Sequence, residues 1–394
     1  MKKIISIMLI IIITFSFSVL SFAESKGKSR ADIDSFYANA DIDISGRAKA
    51  VYLCEATTGK VLYAENEFDS ASPASVTKIM TLLLVCEAID AGRFSLTDTV
   101  RVSARAASMG GSQVFLEEGE KISVEELLKS AVIASGNDAS VALAELTAGS
   151  EAAFVKMMNA RAAELGLKNT SFENATGLDD TTVDHYSCPA DIAAMSRELI
   201  KHSYILDYSS TWQDSIRNGE FTLTNTNRLV RYYDGCNGLK TGSTDKAGYC
   251  ISATAKRGNM QLIAVVMGAE SRDVRNEIAR ELLDYGFANY ALYERAEQFV
   301  ESVPVVRGVY DSAQLYSARF SIVIDKAKIS KIEMIYDIPE RLEAPISKGS
   351  EVGSIIYKVD GEQIGTSPIY VNDSVEKISM RVVFSRILQR IICG

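Results

Sequence analysis

The 394-residue chain is 47% hydrophobic and 24% charged, and it carries a formal net charge of −9 at pH 7. This composition is typical of a folded globular protein and excludes a disordered or collagen-like chain. The acidic balance argues against nucleic-acid binding, which needs a concentrated basic surface. With only two histidines, the chain offers few bases for a Ser-His-Asp triad and few ligands for a His-rich metal site. We therefore predict no nucleic-acid partner, no metal and no cofactor.

The start of the chain has the parts of a secretory signal peptide. A short basic segment precedes a long apolar run, and Ser21 and Ala23 place small residues at a cleavage site. The alternative is an uncleaved membrane anchor, because the apolar run is about long enough to span a bilayer. We predict a signal peptide over residues 1–23, a polar leader over residues 24–47, and export to the outer face of the cytoplasmic membrane, in the cell-wall compartment.

Residues 48–295 have the pattern of an α+β domain. Two apolar segments around Thr57-Thr-Gly59 predict a β-hairpin. After Ala74 the apolar residues recur at helical spacing, and Ser123-Val-Glu-Glu126 predicts a capping box. From Cys236 to Met267 the spacing changes to that of strands, before a last helix. Strands at both ends with helices between them predict one antiparallel sheet that carries a helical cluster.

Residues 296–374 predict a small all-β domain. Their β-rich segments are separated by turn signals such as Lys348-Gly349 and Asp360-Gly361. The segments predicted to be β-rich are 303–309, 318–324, 329–335 and 354–359.

Residues 375–394 predict an amphipathic helix. Apolar residues form one stripe, four basic residues flank or oppose it, and no acidic residue follows Glu376. A basic amphipathic helix is typical of a segment that lies in a membrane interface. The alternative is a terminal helix docked on the protein. We predict that residues 377–394 bind the membrane surface.

Three short motifs could carry chemistry, and the first is Ser-x-x-Lys. It occurs four times, but only Ser75 and Lys78 open an apolar helix, where i, i+3 spacing puts both side chains on one face. A serine hydroxyl is a poor nucleophile unless a base removes its proton. A lysine can be that base if burial or a cationic neighbour lowers its pKa. The helix N-terminus adds a positive field.

The other two motifs are Ser135-Gly-Asn137, between two predicted helices, and Lys240-Thr-Gly242, at the start of a predicted β-hairpin. Helix capping could explain the former, and an ordinary strand-to-turn junction the latter. We expect Gly242 to permit close approach of a ligand, and Gly110-Gly-Ser112 to form a nearby loop without an assigned role. In this order, the three motifs match the trio of class A β-lactamases and penicillin-binding proteins.

The segments around the trio resemble the low-molecular-mass penicillin-binding proteins, and more narrowly their D-alanyl-D-alanine carboxypeptidases. The resemblance covers about residues 30–374 and implies a β-lactamase/transpeptidase-like catalytic domain. It implies removal of the terminal D-alanine from peptidoglycan stem peptides, with β-lactams as covalent inhibitors. Signal peptides and C-terminal amphipathic anchors are also usual in that family. The matching segments are Pro73–Thr81, Ser135–Ala139, Gly166–Thr170 and Lys240–Gly248.

The resemblance implies a catalytic role for several residues. Ser75 would attack the carbonyl of the D-Ala-D-Ala bond, and Lys78 would be the general base. The backbone N–H groups of Ser75 and Ser243 would form the oxyanion hole. Ser135, with Lys240 nearby, would pass a proton to the leaving amine.

The remaining site residues would bind substrate. Asn137 would hold the substrate amide and Lys78, while Thr241, within the motif that ends at Gly242, would bind the terminal carboxylate with Arg275. Arg275 is placed by a weaker match, and the alternative is a surface position on a helix. The family often has a histidine after Lys-Thr-Gly, where this chain has Ser243.

Two other functions compete with the carboxypeptidase. A class A β-lactamase would add a glutamate in a Glu-x-x-x-Asn-like loop, and residues 165–177 contain no such segment. A non-enzymatic β-lactam sensor or cell-wall binder would have a dead site, which the intact trio opposes.

Overall fold

The computed structural model describes residues 42, 44 and 46–393. The signal peptide predicted over residues 1–23 lies outside the described residues, as does most of the predicted leader. The helices of the described part are α1 (Lys78–Asp90), α2 (Ala104–Ala107), α3 (Val124–Val132), α4 (Asn137–Ala148), α5 (Glu151–Glu164), α6 (Pro189–Leu199), α7 (Tyr204–Ser209), α8 (Leu229–Tyr232), α9 (Arg272–Asn289) and α10 (Met380–Cys393). Short 3-10 helices cover Ala74–Thr77, Arg217–Gly219 and Lys326–Lys331.

The strands β3 to β6 of the helical region are short, and apart from β15 the others are longer. They are β1 (Ala50–Glu55), β2 (Val61–Glu65), β3 (Thr99–Arg101), β4 (Lys121–Ser123), β5 (Gln213–Ile216), β6 (Phe221–Thr224), β7 (Cys236–Thr244), β8 (Gly248–Arg257), β9 (Met260–Ala269), β10 (Tyr290–Arg295), β11 (Gln298–Val306), β12 (Ser312–Ser317), β13 (Phe320–Asp325), β14 (Glu333–Asp337), β15 (Leu342–Glu343), β16 (Glu351–Val359) and β17 (Glu362–Val371).

A five-stranded antiparallel sheet, in the order β2-β1-β9-β8-β7, organises the larger domain. Alternate residues of a strand point to opposite faces, and in β9 the two sets enter two different cores. Ile263 and Val265 join the core of the helical cluster, whereas Leu262 and Ala264 pack in the core that contains α9. The sheet is covered on both faces, as the continuous apolar sequence of β9 requires. The predicted α+β architecture is confirmed.

Helix α1 is buried almost all round and lies in the middle of the helical cluster. A helix that is apolar on every side is stable only inside a core, so the residues at its start are held by surrounding structure. The predicted capping box before α3 is present: Ser123 Oγ accepts from the Glu126 N–H at 3.2 Å, and the Ser123 N–H donates to Glu126 Oε2 at 3.2 Å.

Apart from one 3-10 helix, the domain that precedes α10 is built from β-strands, as predicted. Six strands pair in the order β14-β16-β17-β12-β11-β15, around a separate core that includes Leu315, Tyr357 and Ile369. The prediction for residues 329–335 was partly wrong, because the 3-10 helix Lys326–Lys331 precedes β14 and is capped by the Asp325 side chain. Strands β12 and β17 were not predicted, since their buried positions alternate with polar ones and give no apolar run.

Helix α10 exposes its apolar side chains. Met380, Phe384 and Ile391 are 83%, 64% and 74% exposed. The Nη1 atom of Arg386 lies 3.6 Å from Asp311 Oδ1, and its Nη2 atom donates to the Val309 carbonyl of the β domain. None of the helices described in residues 46–393 is long and apolar enough to cross a bilayer.

Candidate active site

Ser75 and Lys78 face each other across one turn at the start of α1. Ser75 lies in the 3-10 turn Ala74–Thr77, and Lys78 is the first residue of the α-helix. Ala74 adopts a left-handed φ of +47°, which bends the chain sharply before the serine. The Nζ atom of Lys78 lies 2.9 Å from Ser75 Oγ, and the lysine side chain is fully buried.

Two further partners define the direction of the Lys78 amine. Its Nζ atom donates to Asn137 Oδ1 at 2.6 Å and to the Thr176 carbonyl at 2.8 Å. Asn137 is oriented by its Nδ2 atom, which donates to the Gly110 carbonyl at 2.7 Å. Burial, and secondly the charge of Lys240, hold the pKa of Lys78 well below its usual value. A neutral amine has two N–H bonds, so these two acceptors leave its lone pair for the Ser75 hydroxyl.

Ser135 and Lys240 form a second buried pair. The Nζ atom of Lys240 donates to Ser135 Oγ at 2.8 Å and to the Thr241 carbonyl at 3.0 Å. Burial, followed by the charge of Arg275, lowers the pKa of Lys240 to about 7. The alternative of simple capping does not apply to Ser135, because Gly136 occupies the cap position of α4.

Gly242 lies near the end of β7 and faces the nucleophile's turn. A Cβ atom at this position would lie 2.8 Å from the Ser75 nitrogen and 2.9 Å from the Pro73 carbonyl oxygen. The structure shows a further reason for this glycine, besides the ligand approach expected from the sequence. The close approach in the structure is between two parts of the protein backbone, which brings β7 against the turn that holds Ser75. Next to it, Ser243 is exposed.

Arg275 is buried on α9 and is only 2% exposed, so the alternative of a surface position does not apply. Its Nε and Nη2 atoms donate to Asn276 Oδ1 at 3.1 and 2.9 Å, and it pairs with no carboxylate of the described residues. Burial, and then the charge of Arg272, lower the pKa of Arg275 to about 10.

A cavity of about 600 Å³ opens over these groups. Arg228, Arg272 and Arg275 line it, and its lining includes no acidic residue from the described part of the chain. Such a cavity favours an anionic ligand. Lys78, Asn137 and Lys240 lie behind its wall and contact the lining residues. The predicted site residues that line the cavity are Ser75, Ser135, Thr241, Gly242, Ser243 and Arg275.

The segment 110–116 supports the site, although the sequence suggested no role for Gly110-Gly-Ser112. The Gly110 carbonyl accepts from the Asn137 side chain, and the Ser112 carbonyl accepts from the Asn137 N–H at 2.7 Å. Buried Asp138 accepts from the backbone N–H groups of Val114 and Leu116 at 3.0 and 3.1 Å, which fixes the loop. Asp138 directly follows the Ser-x-Asn motif in the sequence, and this was the signal that could have indicated the support.

The loop 174–179 is a second support that sequence reasoning missed. Gly177 has a φ of +85°, and a Cβ atom there would lie 1.8 Å from the Ala74 carbonyl oxygen. Buried Asp179 accepts from the hydroxyls of Ser72 at 2.7 Å and Thr244 at 2.6 Å. This carboxylate joins the segment before Ser75 to the end of β7.

His185 lies beneath the start of α1, outside the residues that line the cavity. Its Nδ1 atom accepts from the Glu173 N–H at 3.1 Å, so its Nε2–H donates to Thr77 Oγ1 at 2.7 Å. Burial lowers the pKa of His185 to about 4, which keeps the ring neutral. Within the described ranges, no cluster of His, Cys, Asp or Glu side chains is arranged to hold a metal ion.

Comparison with known proteins gives matches over both domains. Residues 36–271 match the family model "D-alanyl-D-alanine carboxypeptidase", and residues 287–377 match the model "Penicillin-binding protein 5, C-terminal domain". The chain is 43% identical over 385 residues to D-alanyl-D-alanine carboxypeptidase DacF of Bacillus subtilis, covering 96% of this chain and 95% of that protein.

Solved structures with similar folds are also penicillin-binding proteins. Penicillin-binding protein 5 from Haemophilus influenzae is 32% identical with a TM-score of 0.74, covering 84% of this chain and 98% of that one. Penicillin-binding protein D2 from Listeria monocytogenes, in its ampicillin-bound form, is 30% identical with a TM-score of 0.58, covering 62% of this chain and 100% of that one.

The fold and these similarities define a penicillin-binding serine peptidase. More narrowly, the chain belongs to the D-alanyl-D-alanine carboxypeptidase family, and it is an enzyme of the serine type. The β-lactamase and sensor alternatives are not favoured by these relatives.

Proposed function

We propose that this carboxypeptidase cleaves the terminal D-Ala-D-Ala bond of peptidoglycan stem peptides through an ester on Ser75, with Lys78 as the general base. The observation that carries this proposal is the set of three contacts at Lys78 Nζ. Asn137 Oδ1 and the Thr176 carbonyl are both acceptors, so a neutral amine directs its lone pair at Ser75 Oγ, 2.9 Å away.

In the acylation step, the Ser75 hydroxyl gives its proton to Lys78 Nζ while Oγ attacks the carbonyl carbon of the scissile bond. The negative charge that forms on the carbonyl oxygen would be held by the backbone N–H groups of Ser75 and Ser243. The close approach of β7 to the Ser75 turn, which only a glycine at position 242 allows, supports this pairing of donors.

Loss of the leaving group requires a proton on the amine nitrogen. Ser135 is hydrogen-bonded to Lys240, whose pKa of about 7 lets it bind or release a proton near neutral pH. We assign this pair to protonation of the leaving D-alanine amine as the C–N bond breaks. Water then attacks the Ser75 ester and releases the shortened peptide.

The free carboxylate of the terminal D-alanine needs a cation in the cavity. Arg275 has no carboxylate partner among the described residues, and Thr241 lies on the same cavity wall. A guanidinium binds a carboxylate with two parallel hydrogen bonds. We assign Arg275 and Thr241 to the binding of this carboxylate. An enzyme that binds the free carboxylate selects the bond at the end of the peptide over bonds within it.

One assay tests the function. The soluble protein is incubated with a diacyl-Lys-D-Ala-D-Ala peptide and, separately, with a β-lactam. Release of D-alanine with slow drug turnover supports the proposal, and Ser75→Ala should abolish that release. Fast drug hydrolysis would indicate a β-lactamase, acylation without either turnover would indicate a sensor, and release that survives Ser75→Ala would contradict the mechanism.

β-Lactams are proposed as covalent inhibitors of the same serine. A related structure holds ampicillin, and the chain's similarity to it covers that whole protein. The expected ester forms when Ser75 Oγ opens the lactam ring, because the ring mimics the D-Ala-D-Ala end. Mass spectrometry should find the adduct on the peptide that contains Ser75.

We also propose how the chain is divided and where the protein is located. Residues 1–23 direct export, residues 24–47 form a leader, 48–295 the catalytic domain, 296–374 the β domain and 375–394 a membrane-binding helix. The exposed apolar side chains of α10 support membrane binding, since a docked helix would bury them. The protein would then act at the outer face of the cytoplasmic membrane.

A further inference from the structure

One side chain, Asn174, fixes the loop that faces Lys78. Its Oδ1 atom accepts from the backbone N–H groups of Thr176 and Gly177 at 3.0 and 2.7 Å, and from the Thr176 hydroxyl at 3.1 Å. Its Nδ2 atom donates to the Leu178 carbonyl at 2.7 Å. A single amide thus satisfies four groups of residues 176–178, the geometry of an Asx-turn.

This loop is fitted closely against α1 and the nucleophile's turn. The Thr176 carbonyl accepts from Lys78 Nζ at 2.8 Å, and the preceding carbonyl accepts from Thr81 Oγ1 at 2.7 Å. The loop packs so closely against Ala74 that a Cβ atom at position 177 would lie 1.8 Å from the Ala74 carbonyl oxygen. A change in the conformation of the loop would therefore move a hydrogen-bond acceptor of the base.

We propose that Asn174 is a positioning residue that aims the lone pair of Lys78 at Ser75 by holding the Thr176 carbonyl in place. A neutral amine is oriented only if both of its N–H bonds have acceptors, which here are Asn137 and the Thr176 carbonyl. Without the second acceptor, the amine can rotate and present an N–H instead of its lone pair to the serine. This inference rests on the proposed role of Lys78 as the base.

The same geometry predicts an effect on the pH dependence. The charged groups that act on Lys78 are Lys240 from β7, which lowers its pKa, and Asp138 from α4, which raises it. A carbonyl oxygen binds a charged donor more strongly than a neutral one, so the Thr176 carbonyl favours the protonated amine. Displacing it should lower the pKa of Lys78 further and move the acid limb of the rate to lower pH.

The test uses the chain without residues 1–23. It measures kcat/KM for D-alanine release from a diacyl-Lys-D-Ala-D-Ala peptide across the pH range. We expect Asn174→Ala to lower kcat/KM by about 10- to 100-fold, since small displacements of catalytic groups have effects of this size. The acid limb should shift to lower pH. Asn174→Ser, whose hydroxyl can accept from the same N–H groups, should recover much of the rate.

Asn159→Ala is the matched control. The Oδ1 atom of Asn159 accepts from the Phe172 N–H at 2.9 Å, and its Nδ2 atom donates to the Phe172 carbonyl at 2.8 Å. This amide braces the segment just before the loop without contacting Thr176. It should lower thermal stability while kcat/KM per folded molecule and the acid limb stay at the parent values.

Two results would overturn the role of Asn174. One is a parent-like kcat/KM in Asn174→Ala, and the other is a loss of activity that only follows the folded fraction, with an unmoved acid limb. Lys78→Ala separates this inference from the proposed function. If Lys78→Ala keeps the parent rate and acid limb, the base assignment fails; if it is inactive while Asn174→Ala matches the parent, only the positioning role fails.

Discussion

Lys78 and Lys240 are two amines buried in one region of the site. Each is almost fully buried, and desolvation is the main reason that the pKa of each is lowered. Burying an amine without a carboxylate partner disfavours its charged form. The proposed chemistry uses this property, since it needs a neutral base at Lys78 and an exchangeable proton at Lys240. The same burial should reduce the stability of the fold near neutral pH.

Lys240→Met should separate stability from activity. The folded-state pKa of Lys240 is about 7 against an ordinary value of 10.5, so between these values the unfolded state binds more protons. The parent's stability should therefore rise with pH through this window, and the full penalty should be present below about pH 7. Methionine has a similar length and no charge. We expect it to stabilise the fold by about 1–4 kcal/mol at pH 7 and to reduce D-alanine release by at least about 100-fold.

Thermal unfolding at several pH values checks this prediction. The advantage of the methionine variant should be largest at pH 7 or below and should shrink towards pH 10. A variant that is equally stabilised at every pH would show that the lysine charge is not the cause.

Gly242→Ala should disable the site through the backbone. A Cβ atom at position 242 would lie 2.8 Å from the nitrogen of Ser75 and 2.9 Å from that of Val76, so β7 must move away from the turn. We expect acylation by a fluorescent penicillin to slow by about 100-fold, with stability lowered by about 1–3 kcal/mol. An unchanged acylation rate would show that the oxyanion donors do not depend on this close approach.

Most of the site residues that could be predicted from the sequence lie in compact motifs, whereas Arg275 was placed by a weaker match to a longer segment. Ser75 and Lys78 are three positions apart, and the other two motifs span only three residues each. Asp179 and Asn174 escaped notice for different reasons. Asp179 contacts Ser72, 107 positions away, and no local pattern marks such a contact. Asn174 makes only local bonds, but its importance depends on where the folded loop places one carbonyl.

At the level of elements, the site is an assembly of three pieces held together by side chains. The Ser75 turn, the loop 174–179 and the end of β7 come from distant parts of the chain. Asp179, in the loop 174–179, joins the Ser75 turn to the end of β7 by accepting from the hydroxyls of Ser72 and Thr244. Hydrogen bonds to a charged group are the stronger ones, so this carboxylate should hold β7 in register with the nucleophile.

Asp179→Ala should therefore reduce both stability and acylation. The substitution removes two hydrogen bonds to a charged group, each of which contributes about 1.5–3 kcal/mol to stability, and leaves two hydroxyls without their partner. We expect a lower thermal midpoint and a roughly 10-fold slower acylation. Asp180→Ala is the control, because Asp180 is the exposed neighbour and surface substitutions usually change stability by less than about 0.5 kcal/mol. Equal effects of the two variants would contradict the bridging role.

The elements differed in how well the sequence predicted them. The sheet of the larger domain was predictable because β9 contains a continuous apolar run and β8 is apolar apart from small hydroxyl residues, and both strands have buried positions on both faces. In the β domain, β17 contains Gly365 and Pro368 and exposes alternate residues, so its apolar signal is weak. Its strand character comes from pairing with β16 and β12, which are tertiary contacts that a local pattern does not contain.

At the scale of the whole molecule, charge and apolar surface are unevenly distributed. The chain has a net charge of −9, yet residues 377–394 contain four basic residues and no acidic one. The same segment includes α10, whose apolar side chains are exposed. A helix of this kind binds anionic membranes by burying its apolar face and by attraction between its basic residues and lipid headgroups.

Vesicle binding should follow from this arrangement. The chain without residues 1–23 should sediment with vesicles that contain phosphatidylglycerol, and deletion of residues 377–394 should abolish that binding while D-alanine release is kept. Raising the salt concentration should weaken binding only in part, since the apolar contribution is not screened. Replacing Phe384 and Ile391 by serine should weaken it at every salt concentration, because these side chains are 64% and 74% exposed and available to the lipid. Equal sedimentation of the parent and the deletion variant would instead favour a helix that has no role at the membrane.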